Sequence, residues 1–225
     1  MNKLFRYLKC TTFAFTAISM LLACRSIPVS PPKIGLSEVD NIILVDPYTE
    51  IRLIEKDQFS QYNDSLSYLV SRLIKDAFAQ NRWIPVTDTI SIRDETILSS
   101  YQLFQYQIKN ASDGYQVTVP SELNTLIKSS GHRFGMLLWA NGYERTKDNY
   151  SKIEALNIAV CILSVIVSFG TLYYYPMTYK GSLRLYVAII DTDDGRIVYY
   201  NTALLNDSRP TDYTFVLKAI RTLFS

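Results

Sequence analysis

A long stretch without a charged residue, residues 155–179, constrains the fold of this 225-residue chain more than any other feature. Its apolar part, residues 155–172, reaches the lower limit of about 18 residues for a helix that crosses a membrane. Tyrosines and lysines flank the stretch on both sides, as is typical of side chains at a membrane interface. A fold of this chain must therefore bury the segment or offer it an apolar environment outside the protein.

Three interpretations of this insertion compete. A spanning helix is the least favoured, because it would put a membrane between residues 40–150 and residues 180–225, which are predicted to share one sheet. A helix or helical hairpin that covers the sheet is favoured, since small residues within the insertion suit close packing. The remaining interpretation is contact with a membrane or a partner. The residues assigned to that contact are Ile162, Val165, Ile166, Phe169, Tyr173 and Tyr174.

The N-terminus has the order of a secretory signal, with basic residues, an uncharged apolar run and a small residue before a cysteine. Residues 1–23 hold three of the 23 basic residues, Lys3, Arg6 and Lys9, and none of the 21 acidic ones. A chain cleaved after this segment is close to neutral and has no basic block. Nucleic-acid binding therefore has little support.

The sequence Leu21-Leu22-Ala23-Cys24 resembles the lipobox of bacterial lipoproteins. The resemblance implies cleavage between Ala23 and Cys24, and acylation of Cys24 by several chains, which together anchor a protein stably. Residues 24–38 are rich in proline and serine and are predicted to form an extended tether. Because Arg25 stands where an aspartate would resemble an inner-membrane retention signal, the resemblance implies an outer-membrane anchor that faces the periplasm.

Residues 39–225 are predicted to form one α/β (α+β) domain, a mixed sheet with helices packed on it and the apolar insertion within it. Apolar runs and alternation predict strands at residues 41–46, 48–55, 83–86, 134–143, 183–190 and 197–200. Capping residues and apolar stripes predict helices that begin at Asp64 or Ser65, at Pro120 or Ser121, and after Thr211 or Asp212. Residues 88–118 stay ambiguous between helix and strand.

Two segments carry a resemblance to a family. One joins a helix to a strand, Leu126-Ile127 followed by Phe134-Gly135-Met136-Leu137-Leu138. The other is a hairpin, Leu185-Tyr186-Val187-Ala188-Ile189-Ile190-Asp191 followed by Gly195-Arg196-Ile197-Val198-Tyr199-Tyr200. In this order the chain is similar to small envelope lipoproteins that include the curli secretion lipoprotein and the penicillin-binding-protein activators. The resemblance implies their mixed-sheet fold; in the curli secretion lipoprotein, insertions into a similar domain form a ring-shaped pore.

No residue pattern indicates catalysis. His132 is the single histidine, and without a nucleophile motif nearby it is interpreted as a turn residue rather than a general base. Asp191, Asp193 and Asp194 with Gly195 begin like a calcium loop, but the later ligand positions do not fit, so a hairpin turn is predicted. The spacings of zinc sites and phosphate loops are missing from the sequence.

The sequence therefore predicts a non-enzymatic lipoprotein without cofactor or metal. It would be held to the outer membrane through acylated Cys24 and act as a binding or assembly adaptor for an envelope protein. The alternative is a ring-forming secretion or transport component with residues 155–172 in the membrane. A homo-oligomer stays open in both cases.

Overall fold

The computed structural model describes residues 38–81, 84–111 and 114–225. The predicted signal segment and residues 24–37 of the predicted tether, with Ala23 and Cys24, lie outside these residues. Within them the strands are β1 (Ile42–Val45), β2 (Tyr48–Lys56), β3 (Phe59–Tyr62), β4 (Val86–Ile90), β5 (Phe134–Arg145), β6 (Gly181–Asp191) and β7 (Arg196–Asn206). The α-helices are α1 (Asp64–Gln80), α2 (Glu95–Asn110), α3 (Ser121–Ser129), α4 (Lys147–Val167) and α5 (Tyr213–Leu223).

Strand β5 is the central strand of a mixed, seven-stranded sheet within the described ranges. Its first part is parallel to β1 and its second part is parallel to β2, so these two short strands follow one another along the same edge. The break between them falls at Pro47, which has no N–H to donate to a ladder. On its other edge β5 is antiparallel to β6, which in turn is antiparallel to β7. The outer strands are β4, parallel to β1, and β3, antiparallel to β2.

Alternating side chains of the sheet enter two separate cores, because successive residues of a strand point to opposite faces. In β5, Met136 and Leu138 belong to the core that α1 and α5 cover. Leu137 and Trp139 belong to the core that α2 and α3 cover. Helices thus close both faces of the sheet. The predicted fold class, a mixed sheet with packed helices and an apolar helical insertion, is confirmed.

Several boundaries differ from the prediction. The ambiguous stretch 88–118 contains α2, which begins after Asp94, whose carboxylate accepts the N–H groups of Thr96 and Ile97. Helix α1 is capped by Asn63, one residue before the predicted caps, through a 3.0 Å bond from Leu66 N–H. Strand β4 begins at Val86, where the predicted strand ends. Strand β3 was not predicted, because its exposed residues show no apolar alternation.

The turn between β6 and β7 is built around the buried carboxylate of Asp191. Arg133 Nη2 donates to it at 2.7 Å, and the backbone N–H of Asp193 donates at 3.0 Å. Gly195 closes the turn with φ +63° and an N–H bond to the Asp191 carbonyl. The hairpin-turn interpretation of this acidic cluster is therefore confirmed.

The Asp191 carboxylate should make stability depend on acid pH. Burial alone would raise its pKa, but the Arg133 guanidinium and the backbone donors outweigh burial and lower the pKa. A carboxylate whose pKa is lowered by folding stabilises the fold at pH values above its unfolded-state pKa of about 3.9. This stabilisation is lost as the pH falls through the lower pKa of the folded state. We expect Asp191→Asn to lower the free energy of unfolding by about 2 kcal/mol at neutral pH. Below about pH 4 the stability of this variant should fall less steeply with pH than that of the wild type.

Urea unfolding across the acid range measures this effect, with Asp193→Asn as the matched control. The Asp193 carboxylate is exposed, and its ion pair with Arg133 Nε is longer, at 3.5 Å. Loss of this exposed charge should therefore change the stability little. Equal acid dependence in both variants would contradict the assignment to Asp191.

Candidate functional site

An arm formed by α4 and the segment after it, residues 147–180, leaves the sheet between β5 and β6. Helix α4 has 21 residues and is therefore about 31 Å long. Both ends of the arm lie together, because Arg145 N–H donates to the Lys180 carbonyl at 2.8 Å. The arm thus leaves the sheet at the end of β5 and returns beside it at the start of β6.

The returning segment, residues 168–180, is held along α4 by side-chain hydrogen bonds. Asn157, a buried residue of α4, donates to the Pro176 carbonyl at 2.9 Å and to Thr178 Oγ1 at 2.6 Å. Tyr175 O–H donates to Glu154 Oε1, and this bond to a carboxylate raises the pKa of Tyr175 to about 12. The arm is therefore a helix with a strap fixed to one of its sides.

A polar network fixes the base of the arm to the turn between β2 and β3. Arg145 donates to the Asp57 carbonyl at 3.1 Å, to Asn149 Oδ1 at 2.8 Å and to Gln58 Oε1 at 2.7 Å. Asn149 also donates to the Asp57 carbonyl, and its backbone N–H is capped by Thr146 Oγ1. Sequence reasoning missed this network; its one local signal is Thr146 three residues before Asn149, the spacing of a helix cap.

The six residues predicted to contact a membrane or a partner all lie exposed on the arm: Ile162, Val165, Ile166, Phe169, Tyr173 and Tyr174. Further exposed apolar residues surround them, namely Leu156, Ile158, Leu163, Val167, Leu172 and Met177. Only 6% of the apolar window of α4 is buried. The contact itself stays a prediction.

The favoured interpretation, that the insertion packs over the sheet, is wrong. Both faces of the sheet are already covered by α1, α5, α2 and α3. By length and hydropathy α4 is the one helix within the described ranges that could cross a membrane. The pairing of Glu144 with Gly181, however, keeps β6 beside β5 at the point where the arm begins and ends. A single crossing that separates these strands is therefore excluded.

The tip of the arm, residues 162–172, has an unusual turn at the end of α4. Phe169 N–H donates to the Ile166 carbonyl and Gly170 N–H to the Val165 carbonyl, the pattern of a Schellman motif. Phe169 occupies the left-handed position of this motif at φ +52°, where glycine is usual. This conformation costs a phenylalanine roughly 1–2 kcal/mol, and its side chain is 96% exposed.

The hydroxyl groups of the tip are turned inward. Ser164 donates to the Cys161 carbonyl at 2.7 Å, and Thr171 donates to the Ser168 carbonyl at 2.6 Å. Ser168 Oγ accepts the N–H of Leu172 at 3.0 Å. The polar side chains of the tip thus bind its own backbone, and the outer surface is apolar.

His132 lies half-buried in the turn before β5. Its Nε2 is 3.2 Å from Thr87 Oγ1 and its Nδ1 is 3.1 Å from Ser130 Oγ, so the ring links β4 to the end of α3. In the part of the chain that the structure describes, no three His, Cys, Asp or Glu side chains are grouped as a metal site would require.

Several solved structures are similar to this chain at low identity. A PelC dodecamer from Paraburkholderia phytofirmans has 10% identity and a TM-score of 0.38, with 88% of this chain and 91% of that chain covered. The LpoB C-terminal domain from Salmonella enterica has 10% identity and a TM-score of 0.28, with coverage of 84% and 91%. Lipoprotein GNA1162 from Neisseria meningitidis has 10% identity and a TM-score of 0.32, with coverage of 82% and 92%. At this distance a shared function does not follow.

No protein-family model matches the sequence. A search of curated proteins also finds no match.

Proposed function

We propose that the chain is a non-enzymatic lipoprotein of the bacterial envelope that acts as a binding or assembly adaptor. Acylated Cys24 holds it to the outer membrane, on the periplasmic side, and the arm docks on another component of the envelope. The observation that supports this most is the exposed apolar arm on a domain whose two cores are already closed. Monomeric soluble proteins rarely expose so much contiguous apolar surface unless it binds something.

Several polar side chains with distinctive surroundings have partners within the fold. Asp191 holds the β6–β7 turn, and Arg145 and Asn149 hold the base of the arm. The ring of His132 is engaged with Thr87 and Ser130. Each of these groups already has a structural partner, which supports an adaptor over an enzyme.

The alternative is a ring-forming secretion or transport component that places the arm in a membrane. Such an assembly needs contacts between subunits in addition to the arm. Strand β7 offers one, because among the described strands it pairs with β6 alone. A sheet edge can accept a strand from another copy where its backbone groups are unpaired, but at Tyr200 this edge is already occupied, since Tyr200 N–H donates to the Tyr115 hydroxyl at 3.2 Å.

The test of the anchor is incorporation of labelled palmitate in a bacterial host, followed by separation of inner and outer membranes. Wild type should carry the label and collect in the outer-membrane fraction, and Cys24→Ala should lose the label. Cys10→Ala is the matched control, because it changes a cysteine before the predicted cleavage site and should keep the label. Label that persists in Cys24→Ala would contradict the proposal.

The mass of the detergent-extracted protein separates the two functions. Light scattering should give a monomer or dimer for an adaptor. A large discrete assembly would replace the adaptor by the ring-forming alternative.

A further inference from the structure

We propose that the tip of the arm inserts shallowly into one leaflet of a lipid bilayer, as a second anchor beside the acyl chains. This inference rests on the proposed function and names the envelope component on which the arm docks. The partner is a lipid surface rather than a protein groove.

The distribution of the apolar residues favours lipid over protein. Val165, Ile166 and Val167 are consecutive and all exposed, and consecutive residues of a helix point in directions about 100° apart. The apolar surface therefore surrounds the end of α4, except where the strap covers it. A partner helix or groove covers one stripe of a helix, whereas lipid contacts every side.

The length of the uncharged part limits the depth. Glu154 is the last charged residue on α4, and the next charged residue is Lys180 at the end of the strap. From residue 155 to the end of α4 the helix rises about 20 Å, compared with about 30 Å for the hydrocarbon core of a bilayer. The uncharged part of the arm can enter one leaflet but is shorter than the full hydrocarbon core.

Backbone N–H groups at the tip are paired within the arm, as insertion into hydrocarbon requires, and this pairing extends to Tyr174, whose N–H donates to Ser164 Oγ at 3.1 Å. Hydrocarbon accepts only backbone whose polar groups are paired within the protein. At the tip, the N–H groups of Phe169, Gly170, Thr171 and Leu172 all have acceptors inside the arm. From Tyr173 onward the strap is extended and rich in tyrosine, which suits the wetter interface.

The side chains near the base match a lipid head-group region. Lys147, Lys152 and Lys180 are exposed there, and Lys180 Nζ lies 5.5 Å from the ring centre of Tyr150. Lysines at this level attract anionic head groups by about 1 kcal/mol each. The base of the arm is thus charged, with exposed Asp148 and the tyrosine-bonded Glu154 beside these lysines, and the tip is apolar, as in proteins that bind at the interface.

Insertion also accounts for the exposed side chain and the left-handed backbone of Phe169. In water its exposure and its left-handed backbone are both unfavourable. Transfer of a phenylalanine side chain into an apolar medium contributes about 1.5–3 kcal/mol, which offsets the backbone strain. A strained residue at a contact position is the kind of outlier from which a function can be inferred.

The test places one fluorescent NBD probe on the lipidated full-length protein in vesicles of phosphatidylethanolamine and phosphatidylglycerol. The probe is attached through Phe169→Cys, with Cys161→Ala to remove the other available thiol. Lys152→Cys at the base is the matched control. Nitroxide on the lipid acyl chains should quench the probe at the tip several-fold more than the probe at the base, and nitroxide on the head groups should reverse this order.

The outcomes separate this inference from the proposed function. Vesicle flotation reports the acyl anchor: protein that does not float would contradict the proposed function. Protein that floats while acyl-chain nitroxide quenches both probes equally would overturn insertion alone. A tip probe shielded from water but not quenched by either lipid would indicate a second copy or another protein, and would also overturn it. The same probe at exposed Leu163 repeats the measurement without changing Phe169.

Discussion

Deletion of residues 156–174 should leave a folded domain that unfolds with nearly the wild-type free energy. The deletion keeps Arg145 and Asn149, which fix the base of the arm to the β2–β3 turn. Glu154 and Tyr175 are within hydrogen-bonding distance of each other, so a Gly-Ser linker of a few residues can join the cut ends. Neither core loses a residue. We expect a change within about 0.5 kcal/mol, as for surface changes that touch no core.

Urea unfolding followed by circular dichroism measures this expectation. Ile220→Ala is the matched control, because Ile220 is fully buried on α5, and its truncation should cost about 2–5 kcal/mol. If the deletion instead destabilised the domain as strongly as Ile220→Ala, the arm would be part of the structural cover of the domain. The deletion variant should also keep the acyl label on Cys24, since the arm takes no part in that modification.

The central strands and the amphipathic helices were predictable from the sequence. Strands β5 and β6 are long apolar runs, which is the pattern of strands buried on both faces. In α5, Val216, Ile220 and Leu223 follow the spacing of one apolar helix face, and all three are buried. These signals are local and strong, so tertiary context did not change them.

The position of the arm was not predictable, because it depends on what else covers the sheet. A helix that is apolar on all sides normally indicates burial. Helix α2 lies in the stretch that stayed ambiguous, where glutamines and the exposed Leu103 and Tyr106 separate the buried Tyr101, Phe104 and Ile108. With α2 unassigned, one face of the predicted sheet has only the short helix α3 to cover it, and the insertion is the natural candidate for the rest. The structure fills that face with α2 and α3 and leaves α4 exposed.

The detailed geometry of the candidate site could not be predicted from the sequence either. The six contact residues could be selected by their apolar character, but their exposure follows from the covered sheet. The left-handed φ of Phe169 has no local signal, since that position of a helix end normally carries glycine. The Arg145 network needs the β2–β3 turn, and β3 was not predicted.

Truncation of Trp139 to alanine should have the largest effect on stability. Trp139 is fully buried in the middle of β5, where its ring stacks on Tyr186 with 5.3 Å between ring centres. The cavity left by Trp139→Ala should lower the free energy of unfolding by about 3–5 kcal/mol. That is a large part of the free energy of unfolding of a typical domain, which is about 5–15 kcal/mol. Urea unfolding at neutral pH measures the loss.

Trp139→Phe is the matched control and separates ring packing from the indole N–H. Within the described ranges no acceptor lies in hydrogen-bonding reach of Trp139 Nε1, and a buried donor without a partner costs about 1–3 kcal/mol. Phenylalanine removes this donor and keeps an aromatic ring beside Tyr186, so the smaller cavity is partly offset. We expect a loss below about 1.5 kcal/mol, as for changes that nearly conserve volume. A loss as large as that of Trp139→Ala would mean that the indole N–H is bonded in solution, and that it contributes to this core instead of weakening it.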